Sequence, residues 1–361
     1  MTQKINFDAY SYYPSLRTRS AEMRGYKELL DADKNALLPI LVLSLAGKAK
    51  TIAEMAANTS GLMGERLFIA DHTKDKGHYG EDSKALLHPG NDFEAWRRLA
   101  REAMPNAVPV ALITEAAKPR DVARQSVKIE QACGRVALRI RDVARDVPKA
   151  VAAINAVDDV NNVLTIVDVG YIRGNEGAKL RETVEAINAI RDAAAEARIV
   201  TMSTSYPRSV AAYGDDGGSL EILERRLFAG LGGADVAIYG DHASIHIEPY
   251  ETKARGWVPR IDYALSDAWF YRRYRNDDGG YKKCAKEIMG SPDWDPELLK
   301  QGVWGAKMIA EAAKGKLEGL GSPAVWIAAR VNLHLHQQVE ANNTMFAGLR
   351  GDEDDEVDVF E

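Results

Sequence analysis

The sequence has few cysteines, no long apolar run, and no basic excess of the kind that nucleic-acid-binding proteins carry. Its 361 residues include only two cysteines, Cys133 and Cys284, whose wide separation excludes a disulfide framework and favours a reducing compartment. No apolar stretch approaches the ~18 residues that span a bilayer, and the N-terminus lacks the apolar segment of a signal peptide. We therefore expect a cytoplasmic protein without a membrane anchor.

The negative charge of the chain is concentrated at its C-terminal end. Residues 351–361 contain seven carboxylates and no basic residue, and removing their seven negative charges from the overall −6 leaves a body of +1. A nearly neutral body argues against a dedicated nucleic-acid binder. The composition is typical of a solvated, disordered tail, which we place at residues 346–361, and the alternative is a docking peptide for a protein partner.

Short β-rich segments recur along the chain, and most are separated by helical patterns. Helices such as the one predicted at 119–134 begin near a proline and end at a glycine. Alternating strands and helices indicate a parallel sheet, and eight such units match a (β/α)8 TIM-type barrel. An open doubly wound sheet is the alternative, but it lacks the glycine fingerprint of dinucleotide folds. The eight predicted strands are 39–44, 66–71, 107–114, 135–142, 163–171, 198–205, 234–241 and 260–267.

This pattern divides the chain into four parts. Residues 1–35 are predicted to form an N-terminal helical extension, and 36–275 the barrel. Residues 276–345 carry helical patterns that we expect to pack on the barrel as a cap. The acidic tail at 346–361 follows.

Polar side chains alternate with apolar ones in several of the predicted strands. If the apolar set faces the surrounding helices, the polar set faces the lumen. The polar residues assigned to the lumen on this basis are Arg139, Arg141, Asp168, Thr201, Ser203, Ser205, Tyr239, Asp241, Arg260, Asp262 and Ser266. Barrel interiors are normally filled by aliphatic side chains, so this content is unusual.

The charged lumen has two interpretations, which are compatible. One is a structural network of ion pairs, for example Arg139 with Asp168 and Arg260 with Asp241, since unpaired buried charges are costly. The other is a ligand site at the C-terminal mouth, where His242 follows Asp241. His242 and His246 are four residues apart in a segment that is a poor helix, so no metal site is expected.

The chemistry of these side chains points to a small anionic ligand such as a nucleotide. Arg139, Arg141 and Arg260 can bind phosphate in a bidentate manner. Asp168 and Asp241 are the candidate catalytic residues, because a carboxylate beside the arginines can orient a water molecule. Tyr239, Ser203, Ser205 and His242 complete the predicted ligand-binding set, and no cofactor is identified.

A set of short motifs extends over residues 10–340. The motif residues are Tyr13, Pro14, Leu16, Arg17, Glu22, Gly240, Asp241, Arg260, Tyr263, Trp269, Arg272, Trp326, Asn332 and His334. The set resembles the bacteriophage T4 "beta protein" family, which occurs in phages and bacterial genomes. The sequence departs from the family pattern at His242, where an aromatic residue would follow the aspartate. The resemblance implies a barrel-like α/β protein connected with phage–host conflict, and it implies no known reaction.

Three functions therefore remain open from the sequence. The first is an enzyme or receptor for a nucleotide-like anion at the barrel mouth. The second, motivated by the resemblance and the acidic tail, is a non-catalytic component that acts through protein partners. The third is nucleic-acid binding by the basic and aromatic residues at 271–283, which we regard instead as a solvated segment after a strand.

Overall fold

The chain forms a closed barrel of parallel strands with a smaller antiparallel sheet beside it. A computed structural model describes residues 6–247 and 257–354, with side chains to Thr344. Eight strands close the barrel in the order β1 to β7 and then β9, while β10, β11 and β8 form the second sheet. The strands are β1 Tyr12–Arg17, β2 Ile40–Leu43, β3 Phe68–His72, β4 Ala107–Ala111, β5 Val136–Ile140, β6 Val163–Tyr171, β7 Arg198–Thr204, β8 Gly217–Glu221, β9 Ile238–Asp241, β10 Arg260–Ala264 and β11 Ala268–Arg273.

Helices connect the barrel strands and extend beyond them. Thr51 begins one helix by accepting a hydrogen bond from the Glu54 amide, and Gly134 ends another at a φ of 71°. In the described part of the chain, none of the helices is both long enough and apolar enough to cross a bilayer. The helices are α1 Ser20–Lys27, α2 Asp31–Ala36, α3 Ile52–Met63, α4 Ser83–Leu86, α5 Glu94–Ala103, α6 Pro119–Cys133, α7 Val143–Ile154, α8 Glu176–Ala193, α9 Leu223–Gly230, α10 Gly280–Met289, α11 Glu297–Gln301, α12 Trp304–Ala313 and α13 Pro323–Asp354.

The predicted (β/α)8 barrel is confirmed, but one of its strands was assigned wrongly. The segment 260–267 is not a barrel strand, because β10 pairs antiparallel with β11 through a tight turn at 265–268. Instead, β9 pairs with β7 on one side and with β1 on the other, which closes the barrel without this segment. The missing barrel strand is β1, within the segment 1–35 that was predicted to be helical; it pairs with β2 on one side and β9 on the other.

The antiparallel sheet and the C-terminal helices share a second hydrophobic core. Trp269 and Tyr271 from β11 are buried there with Ile288 of α10, Ile309 of α12 and Trp326 of α13. Helix α13 also packs against α1 and β10, so it lies across the barrel and the sheet together. Its backbone is helical to Asp354, so the segment 346–361 predicted as a disordered tail begins within this helix; residues 355–361 lie outside the described residues.

Candidate functional site

The lumen of the barrel changes from apolar to ionised along its axis. Its lower part is a core of Ile69, Val108, Leu164, Val200 and other apolar side chains. Above them lies a group of charged side chains at the carboxyl ends of the strands, where barrel enzymes carry their sites. We call this group the mouth cluster; it consists of Asp71, Arg139, Arg141, Asp168 and His242.

Arg139 is the centre of the mouth cluster and is fully engaged with protein groups. Its Nε and Nη2 atoms donate to Asp168 Oδ2 at 3.0 and 2.8 Å, and its Nη1 donates to Asp71 Oδ2 at 3.1 Å. Nη2 also donates to Ser15 Oγ at 3.0 Å, and the side chain is only 1% exposed. The expected Arg139–Asp168 pair is present. Arg139 therefore holds the two carboxylates in place and is not positioned to grip a ligand itself.

Arg141 is the arginine of this strand that reaches open space. It pairs with Asp71, and its Nε lies 3.9 Å from Asp168 Oδ2, yet 22% of its side chain is exposed. Its backbone amide donates to Asp146 Oδ2 at 3.0 Å, which fixes the end of β5. Arg141 lines a cavity of about 240 Å³ at the barrel mouth, which we call the mouth cavity.

Asp168 and His242 form a hydrogen-bonded pair on the wall of the mouth cavity. Asp168 Oδ1 lies 3.0 Å from His242 Nε2 and accepts the Gly170 amide at 3.1 Å. Burial alone would raise the pKa of Asp168, but His242 and Arg139 outweigh it and hold that pKa far below its usual range. The carboxylate is therefore ionised and orients the imidazole, which leaves Nδ1 as the ring atom available to a ligand.

Asp241 is not a lumen residue, contrary to the prediction. It faces the outer side of the barrel wall, where Tyr12 Oη donates to it at 2.5 Å and Tyr239 Oη at 3.2 Å. His334 Nε2 lies 2.8 Å from Asp241 Oδ2, and Trp269 Nε1 donates to His334 Nδ1 at 3.2 Å. The ring hydrogen of His334 therefore lies on Nε2 and points at Asp241. This buried chain joins β1, β9, β11 and α13.

Tyr239 lies on the same outer face as Asp241. Its ring stacks on Tyr12 with centroids 5.7 Å apart, and Arg225 covers it at 3.8 Å. Gly240 is the neighbour that faces the lumen, because a side chain there would meet Val200 and Met202. The prediction failed because β9 is buried on both faces, so its apolar pattern cannot identify the lumen side.

Ser203 and Ser205 were also predicted to face the lumen, and the structure places them elsewhere. Val200 and Met202 belong to the lumen core, so Ser203, which is in register with Asp241, faces outward. Ser205 lies beyond the strand end, where its amide and Oγ donate to the buried Glu224 at 2.6 and 2.5 Å. These two serines are structural and do not contact the mouth cavity.

Arg260 lies outside the barrel, and its expected pairing with Asp241 is wrong. It begins β10, where its Nε donates to Asp262 Oδ2 at 3.1 Å and its Nη2 to Tyr206 Oη at 3.0 Å. Of the predicted site residues, the structure thus brings Arg139, Arg141, Asp168 and His242 together at one cavity. It separates Asp241, Tyr239, Ser203, Ser205 and Arg260 from it.

Comparison with known proteins identifies the family of this chain. The family model described as "Beta protein" matches residues 12–340. The chain is also 38% identical over 356 residues to "Protein beta" of Enterobacteria phage P4, with 98% of this chain and 99% of that protein covered. The chain belongs to the beta protein family. The resemblance was therefore right about the family, while the phage of this relative is P4 and not T4.

Some of the residues on which the resemblance rested connect elements of the fold to one another. Asn332 in α13 accepts the Gly305 amide at 2.9 Å and donates to the Gly25 carbonyl at 3.1 Å, which ties α12 and α1 to one helix. Arg17 in β1 donates through Nε to Glu22 Oε1 in α1 at 2.9 Å. Unlike Asn332, Arg17 and Glu22 also line the mouth cavity.

Several residues of the site were missed from the sequence, among them Asp71, Arg17 and Lys74. Asp71 lies one residue before the end of β3, so the rule that strand ends meet at one rim could have found it. Arg17 was missed because β1 was not recognised. Lys74 lies in the loop after β3, donates to the Ile113 carbonyl at 2.7 Å and lines the mouth cavity. Burial, followed by repulsion from Arg141, lowers the pKa of Lys74 to about 8.

The described residues do not include a set of metal ligands. Among the residues that the structure describes, no three or more histidine, cysteine, aspartate or glutamate side chains are grouped so as to hold a metal ion.

Proposed function

We propose that this member of the beta protein family binds a small, nucleotide-like anion in the mouth cavity and hydrolyses it. The observation that supports this most is the Asp168–His242 pair, which lies on the cavity wall beside Arg141 and Lys74. An aspartate that orients a histidine toward open space is the arrangement that general-base catalysis requires. A phosphate ester is the substrate class that the neighbouring cations fit.

The side chains of the cavity would divide the work. Arg141 and Lys74 would bind the anionic group, because both line the cavity and both carry cationic donors. Arg139 would keep Asp71 and Asp168 ionised and fixed. His242 would take a proton from the attacking water through Nδ1 as the water oxygen bonds to phosphorus and the ester P–O bond breaks. Asp168 would stabilise the resulting imidazolium, which would then return the proton to the leaving oxygen.

The charge balance of the mouth cluster limits what it can bind. Two carboxylates, Asp71 and Asp168, already face two guanidinium groups, Arg139 and Arg141. The cluster by itself is therefore nearly neutral. Among the described residues of the rim, Arg17 and Lys74 add positive charge, and Glu22 and Asp75 add negative charge. We accordingly expect modest affinity for a single phosphate and stronger affinity for a ligand with further contacts.

The test is a panel of nucleotides titrated calorimetrically, with phosphate release followed for each one that binds. We expect Arg141→Gln to weaken binding and His242→Gln to abolish turnover while leaving binding within a few-fold. Arg226→Gln is the matched control, because Arg226 forms surface ion pairs with Glu176 and Glu221 far from the cavity. Turnover that survives His242→Gln would rule out the proposed base.

A second candidate is a non-catalytic component of phage–host conflict that acts through protein partners. The full engagement of Arg139 favours it, because a sealed ion-pair network can be purely structural. The acidic segment proposed as a docking peptide lies largely outside the described residues. Under this alternative no nucleotide is consumed, and deletion of residues 351–361 removes the captured partner.

A further inference from the structure

A second cavity lies beside the mouth cavity and is dominated by arginines. Its volume is about 290 Å³, and it lies between α1, α13 and the loop that follows β7. We call it the arginine recess. Its charged and aromatic lining consists of Arg17, Arg19, Glu22, Tyr206, Arg208, His246, Arg260 and Arg330.

Among the residues that the structure describes, the inner wall of the arginine recess has more positive than negative charge. Asp262 Oδ2 accepts hydrogen bonds from Arg260 Nε and from Arg330 Nη1, each at 3.1 Å, so one carboxylate serves two guanidinium groups. The side chains of Arg330 and Asp262 are 5% and 3% exposed. Because a buried excess charge is costly, an anion that enters the recess would stabilise this cluster.

Tyr206 does not supply the missing negative charge. Its Oη accepts from Arg330 Nη1 at 2.6 Å and from Arg260 Nη2 at 3.0 Å. Burial raises the pKa of Tyr206 to about 12, so the phenol is neutral at physiological pH. The ring also lies under the Arg330 guanidinium at 4.1 Å. Tyr206 therefore fixes the direction of both arginines toward the cavity without neutralising them.

The first turn of α1 adds partial positive charge to the arginine recess. Ser20, Ala21 and Glu22 line the recess, and the N-cap residue Arg19 makes no side-chain capping bond. Amides at a helix start carry a partial positive charge and bind oxyanions. Among the described residues of the lining, Glu22 is the one carboxylate, and it is bound by Arg17.

We propose that the arginine recess binds a phosphate group, and that this group is the anionic end of the ligand whose reacting part occupies the mouth cavity. Arg17, Glu22 and Ile245 line both cavities, so the two spaces adjoin. The second half of this statement rests on the proposed function. It narrows the substrate class to elongated molecules with a terminal phosphate, held by Arg260 and Arg330 at one end and by Arg141 and Lys74 at the other.

The experiment uses inorganic phosphate as the probe of the recess. Calorimetric titration of the full chain at low salt should show binding that Arg260→Gln weakens at least tenfold. The surface control Arg226→Gln should leave the phosphate affinity within twofold. Arg260→Lys keeps the charge but loses the forked geometry, and we expect it to fall between the wild type and Arg260→Gln.

A second measurement covers the case in which Arg260→Gln fails to fold. Phosphate should raise the melting temperature of the unmodified protein above the value in chloride at equal ionic strength. Absence of both this rise and any binding heat would overturn the recess proposal, as would an affinity that Arg260→Gln leaves unchanged.

The two proposals fail in different ways. If a nucleotide is bound and hydrolysed with dependence on Arg141 and His242 but not on Arg260, the proposed function stands and the recess proposal is wrong. If phosphate binds with dependence on Arg260 and no nucleotide is consumed, the recess stands and the hydrolytic function is wrong.

Discussion

Asp241 and His242 are neighbours in the chain, but their side chains lie on opposite faces of the barrel wall. Asp241 points outward, where Tyr12 and His334 bind it beneath α13. His242 points to the mouth cavity, where Asp168 binds it. The Asp241 Oδ1 atom also accepts a hydrogen bond from the Ala243 amide at 2.8 Å. Asp241 therefore fixes the turn that directs His242 to the mouth cavity. Stability and binding should therefore be separable at this strand end.

We first predict that Tyr12→Phe and His242→Gln affect different properties, the first stability and the second turnover. Tyr12→Phe removes one buried hydrogen bond to Asp241 and should lower the free energy of unfolding by about 1–2 kcal/mol. Ligand affinity should be unchanged, because the Ala243 amide still holds the turn. His242→Gln should reduce turnover with little change in stability. Urea unfolding and ligand titration on both variants test this, and loss of turnover in Tyr12→Phe would contradict it.

The strand β5 could be oriented from the sequence because its two faces differ chemically. Val136, Leu138 and Ile140 lie in the outer core, and Arg139 and Arg141 alternate with them toward the lumen. The strands β7 and β9 could not be oriented this way. Both of their faces are buried, and the lumen takes aliphatic residues in its lower part, so an apolar residue indicates either side.

The strand β1 escaped prediction for a different reason. Pro14 at its centre lacks an amide hydrogen and argues against an inner strand. In the structure Pro14 is in register with Asp241, and the flanking residues Tyr13 and Ser15 face the lumen. The family resemblance includes this segment but did not identify it as a strand. The residues at 13–22 serve both the fold and the cavity, so their presence in a motif does not separate the two roles.

We next predict that Arg139 and Arg141 differ strongly in their contribution to stability. Arg139→Met would leave Asp168 without its principal ion pair inside the lumen, and we expect a loss of about 3–5 kcal/mol in the free energy of unfolding. Arg141→Met should cost about 1 kcal/mol or less, because Asp71 keeps its bond to Arg139. Guanidinium chloride unfolding measures both. Equal losses would show that Arg139 is not the anchor of the cluster.

The lumen position of Gly240 gives a test of the strand register. A Cβ atom at Gly240 would lie 2.9 Å from the Tyr13 carbonyl oxygen and 2.9 Å from Val200 Cγ1. Gly240→Ala should therefore destabilise the protein by about 1–3 kcal/mol through overpacking. Gly61→Ala is the control, because nothing lies within 4 Å of that position in α3, and it should stabilise the helix by up to about 1 kcal/mol. Thermal unfolding of both variants tests this prediction. If Gly240→Ala left the stability unchanged, the strand register would be wrong.

Glu224 should make stability depend on pH. Burial raises its pKa to about 7, although hydrogen bonds from Ser205 act in the opposite direction. Because the folded pKa lies above the unfolded value, the stability that this group contributes is complete below about pH 4.5 and is lost as the pH rises through 7. Glu224→Gln should remove this slope and raise the free energy of unfolding at pH 8, by on the order of 3 kcal/mol at most. A slope between pH 5 and 8 that is identical in both proteins would show that another group titrates.

Lys74 should make ligand binding weaken as the pH rises, just as Glu224 makes stability fall. Burial and then Arg141 lower its pKa to about 8, so its charge is lost within a range that the folded protein can tolerate. Only the protonated amine attracts an anion, so affinity for a nucleotide should be constant below pH 7 and fall by up to about tenfold per pH unit above 8. Lys74→Met should bind more weakly at pH 7 and lose this decline. The Arg226→Gln control should keep it, since its ion pairs lie on the surface away from the cavity. A wild-type affinity that stays constant from pH 7 to 9.5 would place the bound anion out of reach of Lys74.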